Sequence, residues 1–283
     1  MNIPSIKTLL TVKYIKSFIY GYLNRKTFID VKYFCFFIGY ARSGHSFIAS
    51  LLDAHPECCM SLEVNALKLI EEEYNRNQLY YIILNNSRVV NQRLKNIWTG
   101  YSYAVKGQYQ GRFTNLKVIG DKQGSKTTLR FGDNFSICQR LKILVKVPVK
   151  AIHVIRDPLD NISTMILRNI SEDKKPKSED FRDKIDLYFK KVDINNKIKE
   201  SGEIEILDVY HEDFIKNPVK ELKRVLKFIE LDPYPDYLNA CSKIVYKEPH
   251  LSRYKLDWPK DLLSDIQNKA KSYPFLSRYV ENK

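Results

Sequence analysis

An apolar run, a glycine-bounded turn and a helical pattern follow one another directly in the first quarter of the chain. Residues 36–38 are typical of a buried strand, residues 39–44 of a tight turn, and residues 45–55 of a helix with one apolar face. Gly39 and Gly44 permit left-handed backbone angles, so the N–H groups of the turn can point inward beside the positive end of the helix. This arrangement predicts a cradle for an anion such as phosphate.

Short apolar runs recur along the chain, and each is bounded by polar or turn residues. Four of them are typical of buried parallel strands and cover residues 33–38, 117–119, 151–155 and 204–210. The first, third and fourth run directly into amphipathic helical patterns. This alternation of strand and helix predicts an α/β fold in which helices flank a central parallel sheet.

The spacing of the two glycines nearly matches the Walker A loop of nucleotide triphosphatases, G-x-x-x-x-G-K-[ST]. The predicted fold class is therefore a P-loop-NTPase-like three-layer sandwich. His45, however, occupies the lysine position, and a neutral imidazole cannot replace a fixed positive charge on a triphosphate. The cation of this loop comes earlier, at Arg42. These differences argue against ATP hydrolysis, and a P-loop kinase or other nucleotide-binding protein remains the second hypothesis.

A longer motif surrounds the turn. Residues 42–46 read Arg-Ser-Gly-His-Ser, and the following helix ends with Leu-Leu-Asp-Ala-His-Pro at residues 51–56. Both pieces resemble the sulfotransferases that use 3′-phosphoadenosine-5′-phosphosulfate (PAPS), especially the tyrosylprotein and carbohydrate-type members. The resemblance implies that a 5′-phosphosulfate group is bound by Arg42, Ser43, Gly44, His45 and Ser46.

A second part of the resemblance lies where the predicted strand 151–155 ends. Arg156 is followed by Asp-Pro, and a proline suits the first turn of a helix. The segment resembles the 3′-phosphate motif of the family, whose hydroxyl lies eight residues after the arginine. That position is Thr164 in this chain, and Ser163 is the reserve candidate. A guanidinium can bind phosphate through two hydrogen bonds, whereas the alternative for Arg156 is a salt bridge to a neighbouring aspartate.

Three further segments are similar to the family. Lys122 lies in a Gly-Asp-Lys segment, and the resemblance implies that its ammonium approaches the sulfuryl group. A Tyr-His-Glu-Asp-Phe stretch resembles a segment near the adenine in relatives, with His211 at the position of their tyrosine. Tyr210 and His211 are candidate cofactor contacts, or they only cap and pack. Arg253 lies in a basic segment similar to one that closes over the cofactor, and it either contacts the cofactor or faces solvent.

Sulfuryl transfer to a hydroxyl or an amine needs a base for the acceptor proton, cations for the leaving phosphate and in-line placement. In the tyrosylprotein and carbohydrate-type sulfotransferases, a glutamate that follows the His-Pro pair by several residues serves as the base. The resemblance implies this role for Glu63, which has that position. His45 is the rival base, although phosphate contact is the favoured role for it. The predicted catalytic residues are Glu63, Lys122, Arg42 and His45, and no metal is expected.

No repeat, low-complexity tract or linker divides the 283 residues, so we predict a single domain over residues 1–283. Residues 1–30 are predicted to form an amphipathic helical extension. Two segments with less strand character, 64–110 and 169–202, are predicted as helical insertions on the acceptor side. The tyrosines of the first segment either line an acceptor pocket or pack in the core. A carbohydrate, a peptide tyrosine, a lipid and a small alcohol all remain open as acceptors.

The charge balance favours anionic partners. The chain has 47 Lys and Arg against 33 Asp and Glu, which gives a net charge of +14. Nucleic acid is not expected as a partner, because no RNA-recognition or zinc-knuckle pattern appears. A non-catalytic module that binds anions or the product 3′-phosphoadenosine 5′-phosphate (PAP) is the third hypothesis. The presence of Arg42, Glu63, Lys122 and Arg156 argues against it.

The most lipid-like stretch covers residues 6–23, and its three lysines argue against a membrane-spanning helix. It is predicted to be an amphipathic helix that either packs on the domain or rests on an anionic membrane. The five cysteines include no CxxC motif, which argues against a disulfide framework and a zinc site. Because no signal-peptide cleavage pattern is found, we expect a cytoplasmic protein.

Overall fold

A computed structural model describes residues 11–92, 97–98, 101–171 and 174–280. The strands are β1 (Tyr33–Gly39), β2 (Cys58–Leu62), β3 (Ile97–Trp98), β4 (Tyr101–Ser102), β5 (Val118–Gly124), β6 (Val149–Ile155) and β7 (Glu205–Tyr210). The α-helices are α1 (Val12–Leu23), α2 (His45–Asp53), α3 (Ala66–Glu71), α4 (Arg76–Gln92), α5 (Ser125–Asp133), α6 (Ile137–Val145), α7 (Pro158–Leu167), α8 (Ser178–Glu200), α9 (His211–Lys216), α10 (Pro218–Phe228), α11 (Pro235–Ser242) and α12 (Lys260–Lys271). Short 3₁₀ helices cover Arg25–Phe28, Ser252–Lys255 and Pro274–Tyr279.

Five of the strands form one parallel sheet in the order β2-β5-β1-β6-β7. The central strand, β1, is flanked by β5 and β6. β3 and β4 form a separate antiparallel pair. Because parallel strands all end at the same edge, the loops that follow β1, β2, β5 and β6 lie together there. The predicted α/β fold with a central parallel sheet is confirmed.

The alternation of side chains along β1 explains the layers of the sandwich. Phe34, Phe36 and Ile38 join a buried cluster with residues of α3, α4, α5 and α6. Cys35 and Phe37 point to the opposite face, into a cluster with α2, α10 and α11. A strand buried on both faces carries apolar residues at every position, as parallel sheets between helices require. A third cluster packs α7, α8 and α12 around the end of β6.

Two strands differ from the sequence prediction. β2 (Cys58–Leu62) was not predicted, and β5 continues to Gly124 instead of ending at residue 119. The Gly-Asp-Lys sequence at residues 120–122 indicated a strand end. In the structure, Asp121 and Lys122 lie buried inside the sheet, and both have polar partners. Satisfied polar groups can continue a buried strand without the cost of an unpaired donor or acceptor.

The two predicted insertions have different structures. Segment 64–110 contains helices α3 and α4, as predicted, and also the β3–β4 pair, which the prediction missed. Segment 169–202 contains an amphipathic helix, α8, whose apolar side is buried in the third cluster.

The five cysteines are buried and unpaired. Within the described residues, no helix is both long and apolar enough to cross a membrane.

Candidate functional site

The turn after β1 forms the floor of the site. Gly39, Arg42 and Gly44 have positive φ angles of 132°, 70° and 95°, and α2 begins directly after Gly44. The Gly39 N–H donates to Thr128 Oγ1 at 2.9 Å, and Asn161 Nδ2 donates to the Ala41 carbonyl at 2.8 Å. These contacts with α5 and α7 fix the first half of the loop. The predicted turn between strand and helix is therefore formed, with positive φ at both glycines, and anion binding by it stays a prediction.

His45 follows this turn as a buried side chain. Its Nδ1 is 3.0 Å from Ser43 Oγ, and its ring packs against the backbone of Gly124, where a Cβ would come within 2.8 Å of the imidazole. Burial lowers the pKa of His45 well below its usual value, and the nearby charges of Lys122 and Arg42 lower it further. A neutral imidazole at the helix start can share a proton with Ser43 and donate to an anion, but it is a weak base.

Glu63 and Lys122 meet beside the turn, at the ends of neighbouring strands. Lys122 Nζ lies 2.9 Å from Glu63 Oε1, with the lysine side chain fully buried and the glutamate side chain 37% exposed. Burial lowers the pKa of Lys122, while the Glu63 carboxylate opposes that shift. The Glu63 N–H donates to the Lys122 carbonyl at 2.9 Å, and its φ of 60° turns the chain immediately after β2. The predicted pair is therefore brought together.

Asp121 holds the Glu63 turn in place, a role the sequence reasoning did not assign. Its Oδ1 accepts from Ser61 Oγ at 2.9 Å and from the Val64 N–H at 3.0 Å, and its Oδ2 accepts from the Ala66 N–H at 3.0 Å. Burial raises its pKa, and the hydrogen bonds oppose that shift. The acid within the Gly-Asp-Lys segment thus anchors the residues on both sides of Glu63.

Arg156 and Thr164 form the opposite wall. Arg156 NH1 donates to Thr164 Oγ1 at 3.0 Å and to the Arg42 carbonyl at 3.1 Å. Its NH2 donates to the His250 carbonyl at 2.6 Å and reaches Ser252 Oγ at 3.4 Å. Burial lowers the pKa of Arg156, although an arginine keeps its charge over the whole physiological range. The guanidinium thus connects the turn after β1 with α7 and with the C-terminal segment around residues 250–252.

Three predicted cofactor contacts are directed elsewhere. Ser163 Oγ accepts from the Trp258 indole at 3.1 Å, and Tyr210 OH donates to the Phe275 carbonyl at 3.3 Å. Arg253 forms ion pairs with Asp157 and Asp160, at 2.6 Å for the latter. The sequence left two roles open for Arg253, contact with the cofactor and exposure to solvent. In the structure its side chain is largely buried and pairs with the two aspartates. In the same 3₁₀ helix, Ser252 and Lys255 line the site instead.

One cavity of about 1000 Å³ lies between the turn after β1, Glu63 and Arg156, whereas Ser43 and Lys122 are buried and do not line it. The predicted residues on its wall are Arg42, Gly44, His45, Ser46, Glu63, Arg156, Thr164 and His211. His211 packs on Gly44, where a Cβ would lie 2.4 Å from its Nδ1. Burial lowers the pKa of His211 to about 3, with a smaller contribution from the charge of Arg156. The volume is at the upper end of the range of about 300–1000 Å³ for small-molecule sites, so it can hold a nucleotide-sized ligand.

The outer part of the cavity contains residues to which the sequence reasoning assigned no site role. Its additional cations are Lys126, Arg168 and Lys255. Tyr101 and Tyr103, which had packing and pocket lining as alternatives, both line the cavity, and Arg168 NH2 donates to Tyr101 OH at 3.1 Å. Single lysines and arginines carry no motif, so only the fold could bring these cations together. Within the described residues, no group of three His, Cys, Asp or Glu side chains could hold a metal ion.

Comparisons with known proteins identify the family. The sequence profile of the sulfotransferase family matches residues 35–236. The fold is similar to the sulfotransferase domain from the curacin biosynthetic pathway, with a TM-score of 0.52, 16% identity and coverage of 86% of this chain and 98% of that one. It is also similar to sulfotransferase STF9 from Mycobacterium avium, with a TM-score of 0.50, 11% identity and coverage of 90% and 80%.

A third solved structure shares the fold at a similar level. Sulfotransferase STF1 from Mycobacterium tuberculosis has a TM-score of 0.50 and 12% identity, with coverage of 91% of this chain and 81% of that one. A sequence search of curated proteins finds no match. The profile covers well over half of the chain, and the turn after β1, Glu63 and Lys122 lie within it. The chain therefore belongs to the sulfotransferase family and is a transferase enzyme.

Proposed function

We propose that the protein transfers the sulfuryl group of PAPS to a hydroxyl or an amine of an acceptor, with Glu63 as the base. The observation that carries this proposal is the Glu63–Lys122 pair, at 2.9 Å, in which Glu63 lines one large cavity beside the turn and Lys122 is buried directly behind it. A carboxylate and a buried ammonium beside an anion site suit a reaction that moves a proton while negative charge develops on a leaving oxygen.

The two ends of the donor have different candidate sites. The N–H groups of the loop and Arg42 suit the 5′-phosphosulfate, because the helix start adds a partial positive charge. Arg156 and Thr164 suit the 3′-phosphate, since both line the cavity and lie within 3.0 Å of each other. Thr164 is favoured over Ser163, because Thr164 lines the cavity beside Arg156, whereas Ser163 is buried away from it and accepts from Trp258.

The reaction balances with groups that the chain supplies. The acceptor oxygen or nitrogen forms a bond to sulfur as the bond between sulfur and the 5′-phosphate oxygen breaks. The acceptor proton passes to Glu63, and the electron pair of the broken bond stays on the phosphate of PAP. Lys122 and Arg42 stabilise the charge on that phosphate, an effect that is largest in the transition state. His45 is assigned to phosphate contact because it begins α2 and lines the cavity, and burial lowers its pKa, which makes it a poor base.

The acceptor is proposed to enter through the outer part of the cavity. Tyr101 and Tyr103 come from segment 64–110, and Ile170 and Ser171 come from segment 169–202. Their positions support the role of these two segments on the acceptor side. Arg168 and Lys255 add positive charge there, which suits an acceptor that carries an anionic group.

The test is the variant Glu63→Gln, with Glu72→Gln as its matched control. Both glutamates are about equally exposed, at 37% and 36% of the side chain, and both pair with a lysine, but Glu72 lies on α3–α4 surface away from the cavity. We expect Glu63→Gln to lower transfer from labelled PAPS by about 10²-fold or more and to leave the Kd for PAP within about twofold. Glu72→Gln should change neither quantity.

The transfer assay uses an acceptor panel of acidic tyrosine peptides, glycans and small phenols. The binding assay is calorimetric titration with PAP, which needs no acceptor. Retained transfer in Glu63→Gln would contradict the assignment of the base. Loss of PAP affinity in the same variant would mean that Glu63 shapes the donor site through Lys122 and does not act in proton transfer.

A further inference from the structure

Helix α1 packs on the protein through its smallest side chains. Ser17 and Gly21 face α4 and are buried, and a Cβ at Gly21 would lie 2.7 Å from the Asn77 carbonyl oxygen. Gln78 Nε2 donates to the Tyr14 carbonyl and to Ser17 Oγ, both at 3.2 Å. The helix is therefore seated closely against α4 by small and polar contacts, and the rings of Tyr14 and Tyr20 pack against Tyr74 and Tyr81.

The outward face of α1 is apolar. The exposed residues spaced three and four apart are Val12, Ile15, Phe18, Ile19, Tyr22 and Leu23. Phe18 is 56% exposed and Leu23 is 64% exposed. A helix on the surface of a globular protein normally buries its apolar stripe and exposes its polar one. Here the order is reversed, and contiguous exposed apolar surface of this kind marks a site of contact with another apolar phase.

Basic residues border this apolar face. Residues 11–29 include four basic side chains and no Asp or Glu. Lys16 is exposed on α1, and Arg25 and Lys26 are exposed in the 3₁₀ helix that follows. The Arg25 guanidinium lies over the Tyr22 ring at 3.9 Å, so charge and apolar surface meet directly. Basic residues beside an exposed apolar stripe are the combination that binds anionic lipid headgroups and the upper acyl chains together.

We propose that α1 docks on the surface of a membrane containing anionic phospholipid, with its axis in the plane of the bilayer. Phe18, Ile19 and Leu23 then lie at the boundary between headgroups and acyl chains, and the basic side chains contact lipid phosphates. Twelve residues span about 18 Å, which is too short to cross a hydrocarbon core of about 30 Å. Docking on the surface is thus the geometry that this helix allows.

A second copy of the chain fits the same face less well. A strip about 18 Å long and roughly 10 Å wide covers far less than the roughly 800 Å² per partner of a stable protein interface. Each copy would also bring its basic border, and a net charge of +14, against the other. An anionic bilayer supplies the opposite charge and an apolar phase at once.

The test is sedimentation of the full chain with vesicles of phosphatidylcholine alone and of phosphatidylcholine with phosphatidylserine in equal parts. We expect binding to the anionic vesicles, reduced by added salt, and little binding to the neutral ones. The variant Phe18→Glu should lower the bound-to-free ratio by about tenfold or more. Its control, Ile143→Glu, changes the charge equally at a 71% exposed apolar residue on α6 and should bind like the wild type.

Each other outcome contradicts the proposal. Absence of sedimentation with anionic vesicles overturns it. Equal loss of binding in Phe18→Glu and Ile143→Glu would show that vesicle binding depends on the total charge of the protein and not on the apolar face of α1. Light scattering without lipid measures whether the protein forms a dimer in solution. A dimer that Phe18→Glu dissociates would assign the face to a second copy of the chain. Because Phe18 is exposed, the variant should keep the wild-type circular dichroism spectrum.

Discussion

Arg156 lines the cavity, and both of its terminal nitrogens also donate to protein oxygens. Two of those acceptors are main-chain carbonyls, of Arg42 and His250, and two are hydroxyls, of Thr164 and Ser252. A phosphate bound here would be held together with the groups that form its walls. The residue therefore has two separable effects, direct binding of an anion and positioning of the loop.

The variant Arg156→Ala separates these effects by comparing two ligands. If Arg156 binds the 3′-phosphate, the Kd for PAP should rise by roughly ten- to one-hundredfold, the range for a hydrogen bond to a charged group. The Kd for adenosine 5′-phosphosulfate, which lacks that phosphate, should change much less. Calorimetric titration with both ligands measures the difference. An equal rise in the Kd of both ligands would contradict binding of the 3′-phosphate by Arg156. The residue would then only position the loop and the C-terminal segment.

Asp208 illustrates a charge that acts on stability and lies outside the cavity. Burial alone would raise its pKa, but the hydrogen bond from His153 Nδ1 at 3.0 Å and the charge of Lys199 lower it to about 2. A carboxyl whose pKa is lower in the folded state than its ordinary 3.8 stabilises the fold above that value, and this contribution disappears as the pH falls from about 4 to 2.

We expect Asp208→Asn to lower the free energy of unfolding by up to about 2 kcal/mol at neutral pH. The difference between variant and wild type should shrink as the pH falls below 4. Urea unfolding at pH 7 and at pH 3 measures both values. A difference that stays constant over this pH range would show that shape, and not the charge of Asp208, is responsible.

At the scale of elements, the loop between β1 and α2 depends on close packing with α9. Gly44 has a φ of 95°, and the His211 ring occupies the space that a side chain would need. Any larger residue must displace His211 from the cavity wall. The loop and the segment around His211, which are far apart in sequence, thus form one continuous part of the cavity wall.

The variant Gly44→Ala tests this packing, with Gly107→Ala as its control. Both glycines have positive φ, so both variants carry a similar backbone cost of about 1 kcal/mol, but a Cβ at Gly107 meets nothing within 4 Å. We expect the Kd for PAP to rise about tenfold or more only in Gly44→Ala. Thermal unfolding of both variants separates loss of fold from loss of binding. Similar PAP affinity in the two variants would show that His211 packing does not shape the site.

Sequence patterns predicted these elements unequally. The β1–loop–α2 unit follows from glycine spacing and helical periodicity, which are local properties. The second half of β5 was missed because its polar residues, Asp121 and Lys122, are satisfied by partners about 60 residues away, in and just after β2, a strand that was missed as well. For the same reason, the ion pair of Arg253 with Asp160 could not be foreseen, since it joins α7 to a segment 93 residues later. Contacts that span such distances have no local signature.

For the whole molecule, binding and stability are linked, because a ligand that binds only the folded state raises the unfolding temperature. At a PAP concentration of about 100 times its Kd, the stabilisation is about 2.7 kcal/mol, and a chain of this size should gain roughly 5–10 °C in Tm. ATP with Mg²⁺ should give a much smaller shift, since His45 replaces the Walker A lysine. Differential scanning fluorimetry with both ligands makes the comparison. A shift with ATP and none with PAP would favour a kinase.

The proposed donor site joins parts of the chain that are made at very different times. Arg156 finds its acceptors at His250 and Ser252, which follow it by 94 and 96 residues. On the ribosome, the loop, Glu63 and Lys122 leave the exit tunnel long before these partners exist. The cavity wall at Arg156 is therefore completed only after residues 250–252 have been made, whereas domains fold from the N-terminal side during synthesis.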